Sequence, residues 1–182
     1  MYRIFAPLAI GVAVLSACAA PPPPAPRVAA DGRPLPQVYR ISEVDSDRVQ
    51  IRFLDGVNAV RQAAGAPPVA LNAELTAAAA THSRDMSVQN RPWHFGSDGS
   101  SPLDRVRRVG YRGELLGENI SETYETELET LSAWLESPDQ RDIITDPRAR
   151  DLGFSWFQEP SGKIWWTMVT GAPQTFAQAN GF

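Results

Sequence analysis

The chain has 182 residues, 17 Lys plus Arg against 21 Asp plus Glu, a formal net charge of −4 and 43% apolar side chains. That length suits one domain, and the acidic balance excludes a general nucleic-acid binder, which would present a basic face. The single cysteine excludes an internal disulfide and any multi-thiolate metal site.

Residues 1–17 read as an export signal. Arg3 supplies a positive charge, and Ile4 to Ala17 carries no charged side chain. As a helix that run spans only about 21 Å, short of a bilayer's hydrocarbon core, so it suits a cleaved signal better than a mature membrane span. It ends in Leu15-Ser16-Ala17-Cys18, which resembles the lipobox of bacterial lipoproteins. That resemblance implies cleavage before Cys18, lipidation of Cys18, and attachment of the protein to a membrane through its acyl chains. Ala19, rather than an acid, follows the cysteine, which implies sorting to the outer membrane of a Gram-negative envelope, with the domain facing the periplasm. Residues 18–36 then form the acylated cysteine and a tether. Seven prolines between 19 and 36 and no aromatic residue favour extended polyproline conformations reaching up to about 56 Å.

After a lead-in over 37–49, the composition becomes mixed apolar and charged. Phe53, Val57, Val60 and Ala64 recur at helical spacing, Gly65 is placed to end that helix, and Pro67-Pro68 forces a break. Asn72 can cap a second helix with Leu75, Ala78, Ala79, His82 and Met86 on its inner face. Residues 90–101 read as a polar loop. Ser101-Pro102-Leu103-Asp104 opens a short helix with Val106 and Val109 inward and Gly110 closing it. A further helix runs to about Leu135 through Leu128 and Leu131. Past residue 150 the period changes to two: Leu152, Phe154 and Trp156 alternate with smaller residues, Glu159 to Gly162 make a turn, and Ile164 to Thr170 forms a second strand. Helices followed by a terminal hairpin predict an α+β sandwich. The stretch 173–182 reads as a loosely structured tail.

Two histidines bound the search for chemistry. His82 lies on an apolar helix stripe and reads as a satisfied core histidine, whereas His94 sits in the loop Trp93-His94-Phe95-Gly96-Ser97-Asp98-Gly99, where binding groups collect. Gly117-Glu118-Asn119-Ile120, read as a helix–strand junction, offers a carboxylate that could meet a loop histidine, as an acid–base pair or around a divalent cation.

Taken in order, these pieces resemble the CAP superfamily (SCP-like; cysteine-rich secretory, antigen 5 and pathogenesis-related proteins) in its short bacterial form, over about residues 50–172. The matching features run from the helix and Gly-Pro break of Leu54 to Pro68, through His82, Asp85 and Met86, to the His94–Gly99 loop. Asp104-Arg105, Gly110-Tyr111, Gly117-Glu118-Asn119-Ile120, Trp134 to Arg141, and the strands at Leu152-Gly153-Phe154 and Trp165-Trp166 follow. The resemblance implies an α–β–α sandwich with a small central antiparallel sheet. It also implies a cleft between the His94 loop and the Gly117–Ile120 segment, with His94, Glu118, Asn119 and Gln140 as its residues. The family cleft commonly holds two His and two acids able to bind zinc, calcium or another divalent cation. Here His94 and Glu118 match two of them, and Gln140 stands in the second histidine's place, with Ser137 and Gln140 able to form a capping box instead.

Besides sterol or fatty-acid carriage, which the resemblance alone implies, two functions are open at this point. One is a non-catalytic, membrane-anchored binding module for a cell-envelope component (cell wall, lipid or protein), with Trp93, Phe95, Tyr111, Tyr124 and Trp134 as candidate cleft aromatics. The other is a metal-assisted hydrolase acting on peptidoglycan or protein through His94 and Glu118.

Overall fold

The computed structural model describes residues 39–122 and 124–174; the signal, lipidation and tether expectations and most of the tail fall outside them. A 3-10 turn at Glu43–Asp45 leads into α1 (Ser46–Ala63), followed by β1 (Ala70–Leu71), α2 (Ala73–Gln89), α3 (Pro102–Arg108) and β2 (Glu114–Ser121). Then come α4 (Glu127–Glu136), α5 (Pro138–Thr145), β3 (Asp151–Gln158) and β4 (Ile164–Ala172). The sheet order is β1-β3-β4-β2. The β3–β4 and β4–β2 pairs are antiparallel, as expected, while the two-residue β1 adds a parallel edge against Asp151 and Leu152.

Local chemistry sets the helix ends. Asn72 accepts from the Leu75 N–H at 2.9 Å, Ser101 and Asp104 form a full capping box with Pro102 in the first turn, and Gly65 and Gly110 take positive φ just past helix ends. Thr126 and Glu129 form a second capping box at the start of α4. Ser137 makes no such bond: it is an extended hinge shared by the end of α4 and the start of α5, and its side chain caps neither.

Strand periodicity divides the core in two. On one face Leu152, Phe154, Trp166 and Met168 pack with Val49, Phe53 and Val57 of α1, Leu131 and Trp134 of α4 and Ile144 of α5. Phe53 stacks on Phe154 at 3.5 Å between centroids and meets Trp134 edge-on. On the other face α2 and α3 bring Leu75, Ala78, Ala79 and Val106 against Val169. This makes three layers, α2–α3, sheet and α1–α4–α5, which is the α–β–α sandwich. Gly153 lets α2 lie directly on the strand: a Cβ there would stand 2.2 Å from the backbone carbon of Leu75.

The inner stripe of α1 departs from its expected residues. Ala64 is exposed, and the fourth buried position is Arg61, fully shielded. Its guanidinium donates to the carbonyls of Pro67, Ile144, Asp146 and Ala149 at 2.7–3.1 Å, tying the end of α1 to the end of α5. Burial holds its pKa below the ordinary arginine value. Leu128 is nearly half exposed, because α4 turns Leu131 and Trp134 inward instead.

Candidate functional site

Gly117-Glu118-Asn119 lies in the middle of β2, not at a helix–strand junction, and consecutive strand residues point to opposite faces. Gly117 and Asn119 face α5. A Cβ on Gly117 would meet Ile143 at 2.6 Å, so glycine lets α5 approach the strand, and Asn119 donates from Nδ2 to the Gln140 carbonyl at 2.9 Å. Glu118 turns the other way, beneath the His94 loop, and is 6% exposed.

Three cationic or imidazole groups converge on that carboxylate. Arg105 Nη2 donates to Oε2 at 2.7 Å, His94 Nδ1 lies 2.9 Å from Oε1, and His82 Nε2 stands 3.6 Å from the same oxygen. Burial is the largest influence on Glu118 and pushes its pKa up. The His94 hydrogen bond, the nearby His82 ring, and the Arg105 charge and hydrogen bond together outweigh it and hold the carboxyl below its ordinary value. Glu118 is therefore an ionised acceptor at neutral pH, and the neutral form of His94 carries its proton on Nδ1, leaving Nε2 as an acceptor.

Arg105, which the sequence offered only as part of a motif, organises the site. It is 4% exposed, and its Nη1 donates to the carbonyls of His94 and Ser100 while Nη2 holds Glu118. The residue flanks inward-facing Val106 on a short helix with three arginines, and burial of one of them is the cue that pattern carried. The loop is pinned from α2 as well. Asp85 accepts from the Ser97 N–H and hydroxyl, and Gln89 donates to Asp85 and to the Phe95 carbonyl. Gly96 sits where a Cβ would meet Asp98 and Ser100 at 2.6 Å. A loop tied at so many points is preorganised.

His82 departs from the expected satisfied core histidine. It is fully buried, and neither ring nitrogen has a partner at full hydrogen-bond distance among the described residues, with the Trp93 backbone and, at 3.6 Å, Glu118 as its polar neighbours. Burial, helped by the charge of Arg105, holds its pKa below the ordinary histidine value against the pull of Glu118, so the ring is neutral at pH 7. Unpaired buried polar atoms cost about 1–3 kcal/mol each. Arg105 Nε, beside Glu118, is also unpaired, as is Asn119 Oδ1 on the opposite face of the strand.

Beside the His94 loop opens a groove of about 450 Å³, with Trp93, His94 and Phe95 on one wall and Ser121, Glu122 and Gln140 on the other. Of the four expected cleft residues, His94 and Gln140 line this groove, Glu118 lies buried against His94 without lining it, and the Asn119 side chain turns away toward α5. Two expected cleft aromatics are elsewhere. Tyr111 is buried on the far side, cradled by Gly113 and Gly171, with its hydroxyl donating to Asp151 at 2.8 Å. Trp134 is in the core, its indole N–H donating to the Ile120 carbonyl. Tyr124 is exposed but does not line the groove. A larger hollow of about 730 Å³ runs along α1 past Asp55 and Pro67; the Asn58 amide there is already bonded at both ends to Val69.

The donor set does not fit a divalent cation. Each Glu118 oxygen already accepts one hydrogen bond, Oε2 from a guanidinium that neutralises the charge a cation would need. Gln140 offers an amide where the family has imidazole. No three His, Cys, Asp or Glu side chains among the described residues form a metal-binding group.

The cysteine-rich secretory protein (CAP) family matches residues 54–170, well over half of the chain, and the chain belongs to that family. It is 31% identical over 120 residues to the uncharacterised protein YkwD of Bacillus subtilis, covering 66% of this chain and 46% of that protein. Its fold is similar to that of an SCP-domain-containing extracellular protein of Bacillus anthracis (TM-score 0.65, 20% identity, 73% of this chain and 44% of the other). It is equally similar to an outer surface protein of Borrelia burgdorferi (TM-score 0.65, 13% identity, 71% and 96%). The chain spans less than half the length of YkwD and of the B. anthracis protein. These structural neighbours are extracellular or surface proteins, and no described helix is long and apolar enough to cross a membrane.

Proposed function

We propose that this protein is a membrane-anchored lipoprotein of the outer membrane whose CAP domain faces the periplasm and binds a cell-envelope component through the His94–Gln140 groove, without catalysing a reaction on it. The observation that carries this reading is the Glu118 carboxylate, closed off by Arg105 and His94. A buried carboxylate held by a guanidinium on one oxygen and an imidazole on the other is a weakened general base and metal ligand, yet it fixes the loop that forms one wall of the groove. The anchoring part rests on Leu15-Ser16-Ala17-Cys18 and the proline-rich run behind it, and the extracellular or surface character of the structural neighbours agrees with an exported protein.

Two measurements test the two halves. Fractionation of cells expressing the full chain should find it with membranes, and Cys18→Ser should release it to the soluble fraction; an unchanged distribution overturns the lipid anchor. The purified full chain, sedimented with cell-wall sacculi and with envelope-lipid vesicles, should bind one of them and lose binding on Trp93→Ala. Release of soluble cell-wall fragments or peptides that stops on adding a chelator, and is absent in His94→Ala, would replace the binding reading with the metal-assisted hydrolase.

A further inference from the structure

We infer that the groove is a carbohydrate site, taking one or two rings of an uncharged glycan against Trp93 and Phe95; this rests on the binding reading above and names its ligand class. The chain places four of its five tryptophans in or against the core and exposes one, Trp93, at the groove's lip beside exposed Phe95, with centroids 5.2 Å apart and planes tilted by 52°. Arg91 stacks over one face of the Trp93 indole at 3.5 Å and the indole N–H is bonded to Gln89, so the ring is held in place and one π-face is left. A fixed, exposed aromatic face suits the C–H face of a pyranose, which buries apolar area while its hydroxyls point outward.

The opposite wall supplies what those hydroxyls need. Among the described residues, the Gln140 side-chain amide and the Ser121 hydroxyl have no hydrogen-bond partner in the protein, although both are half-buried in the groove. The His94 Nε2 acceptor adds a third group. On that wall Glu122 is matched by Lys163 at 2.6 Å, and the buried Glu118 beside His94 is matched by Arg105 at 2.7 Å. A charged headgroup would meet no unpaired counter-charge on that wall, whereas a neutral polyol can use every one of these groups without stranding a charge. The groove's volume falls in the range of small-ligand sites, and the pinned loop keeps the ordering cost of binding low.

The test uses the full chain and chitotetraose as an uncharged glycan probe. Indole and side-chain amide NMR signals are followed on titration, and affinity is measured by calorimetry. Saturable binding that shifts the Trp93 indole and Gln140 amide signals, and is weakened at least tenfold by Trp93→Ala and by Gln140→Leu, is the expected result. Phe95→Leu should weaken it several-fold. Leu71→Ala, an exposed apolar residue outside the groove, should leave it unchanged, and all variants should retain the parent's spectrum of buried-core signals. No saturable binding, or binding indifferent to Trp93→Ala, overturns the carbohydrate assignment. If sacculi or vesicles are nonetheless bound in a Trp93-dependent way that chitotetraose does not compete, the binding-module reading stands and only the ligand class fails. If neither binds, both fail.

Discussion

On the sheet face covered by α1, α4 and α5, Phe53, Phe154, Trp166, Trp134 and Met168 fill the space between layers with rings and apolar chains. On the face covered by α2, Gly153, Ser155 and Thr167 leave so little bulk that helix and strand meet almost backbone to backbone, and Ser83 bonds across to Thr167 at 2.8 Å. The first face is held by volume and apolar area. The second is held by close approach, and it ends in a buried polar cluster of His82, Arg105 and Glu118 with several unpaired atoms. The polar face is where a site can be built: small residues let α2 bring His82, Asp85 and Gln89 to the level of the loop, and the rigid aromatic face behind the sheet tolerates the energetic cost of the unpaired groups.

Gly153→Val should have the largest effect, because the new Cβ collides with the Leu75 backbone, which cannot move without the whole helix. We expect about 4 kcal/mol or more of destabilisation, or no folded protein, by urea unfolding; a loss below about 1 kcal/mol would show that α2 can lift off the sheet. Phe53→Ala and Arg105→Met break one face each by comparable amounts, about 3–5 kcal/mol. The first leaves a cavity beneath Phe154 and Trp134, and the second leaves Glu118 charged and buried without its strongest partner. Only Arg105→Met should also loosen the loop, seen as faster amide exchange at Ser97 and Ser100.

Acid should weaken the polar face selectively. His82 and Glu118 are both held below their ordinary values of 6.5 and 4.5, so the unfolded chain takes up their protons at a higher pH than the folded one. Stability is therefore full above about pH 6.5 and falls as the pH drops, first through His82 and then, below about 4.5, through Glu118. Urea titrations at pH 7.5, 5.5 and 4.0 should show this descent; a stability that rises on acidification contradicts it. The smallest effect is expected from His82→Leu. The imidazole makes no hydrogen bond, so replacing its buried nitrogens by an apolar chain should leave stability at pH 7.5 unchanged or raise it by about 1–3 kcal/mol, while flattening the decline between pH 7.5 and 5.5. A loss above about 2 kcal/mol would mean that the 3.6 Å approach to Glu118 is a working contact.

The amino-acid sequence by itself determined the capped helix starts, the Gly65 and Gly110 stops, the period-two hairpin after residue 150, and the gathering of His94 and Glu118, because these signals are local or sit in a motif order that few folds share. Tertiary structure alone decided the rest. Arg61 takes the place of an apolar residue on the α1 stripe because three carbonyls from 83 to 88 residues away, with that of nearby Pro67, surround it. Ser137 fails to cap because one residue joins two helices, and the Tyr111 ring is drawn away from the groove into the space left by Gly113 and the distant Gly171. His82 looks like any buried histidine along its helix; that its nitrogens go unpaired beside a carboxylate held by Arg105 depends on groups 23 to 36 residues away, and no periodicity in the chain encodes where those groups will stand.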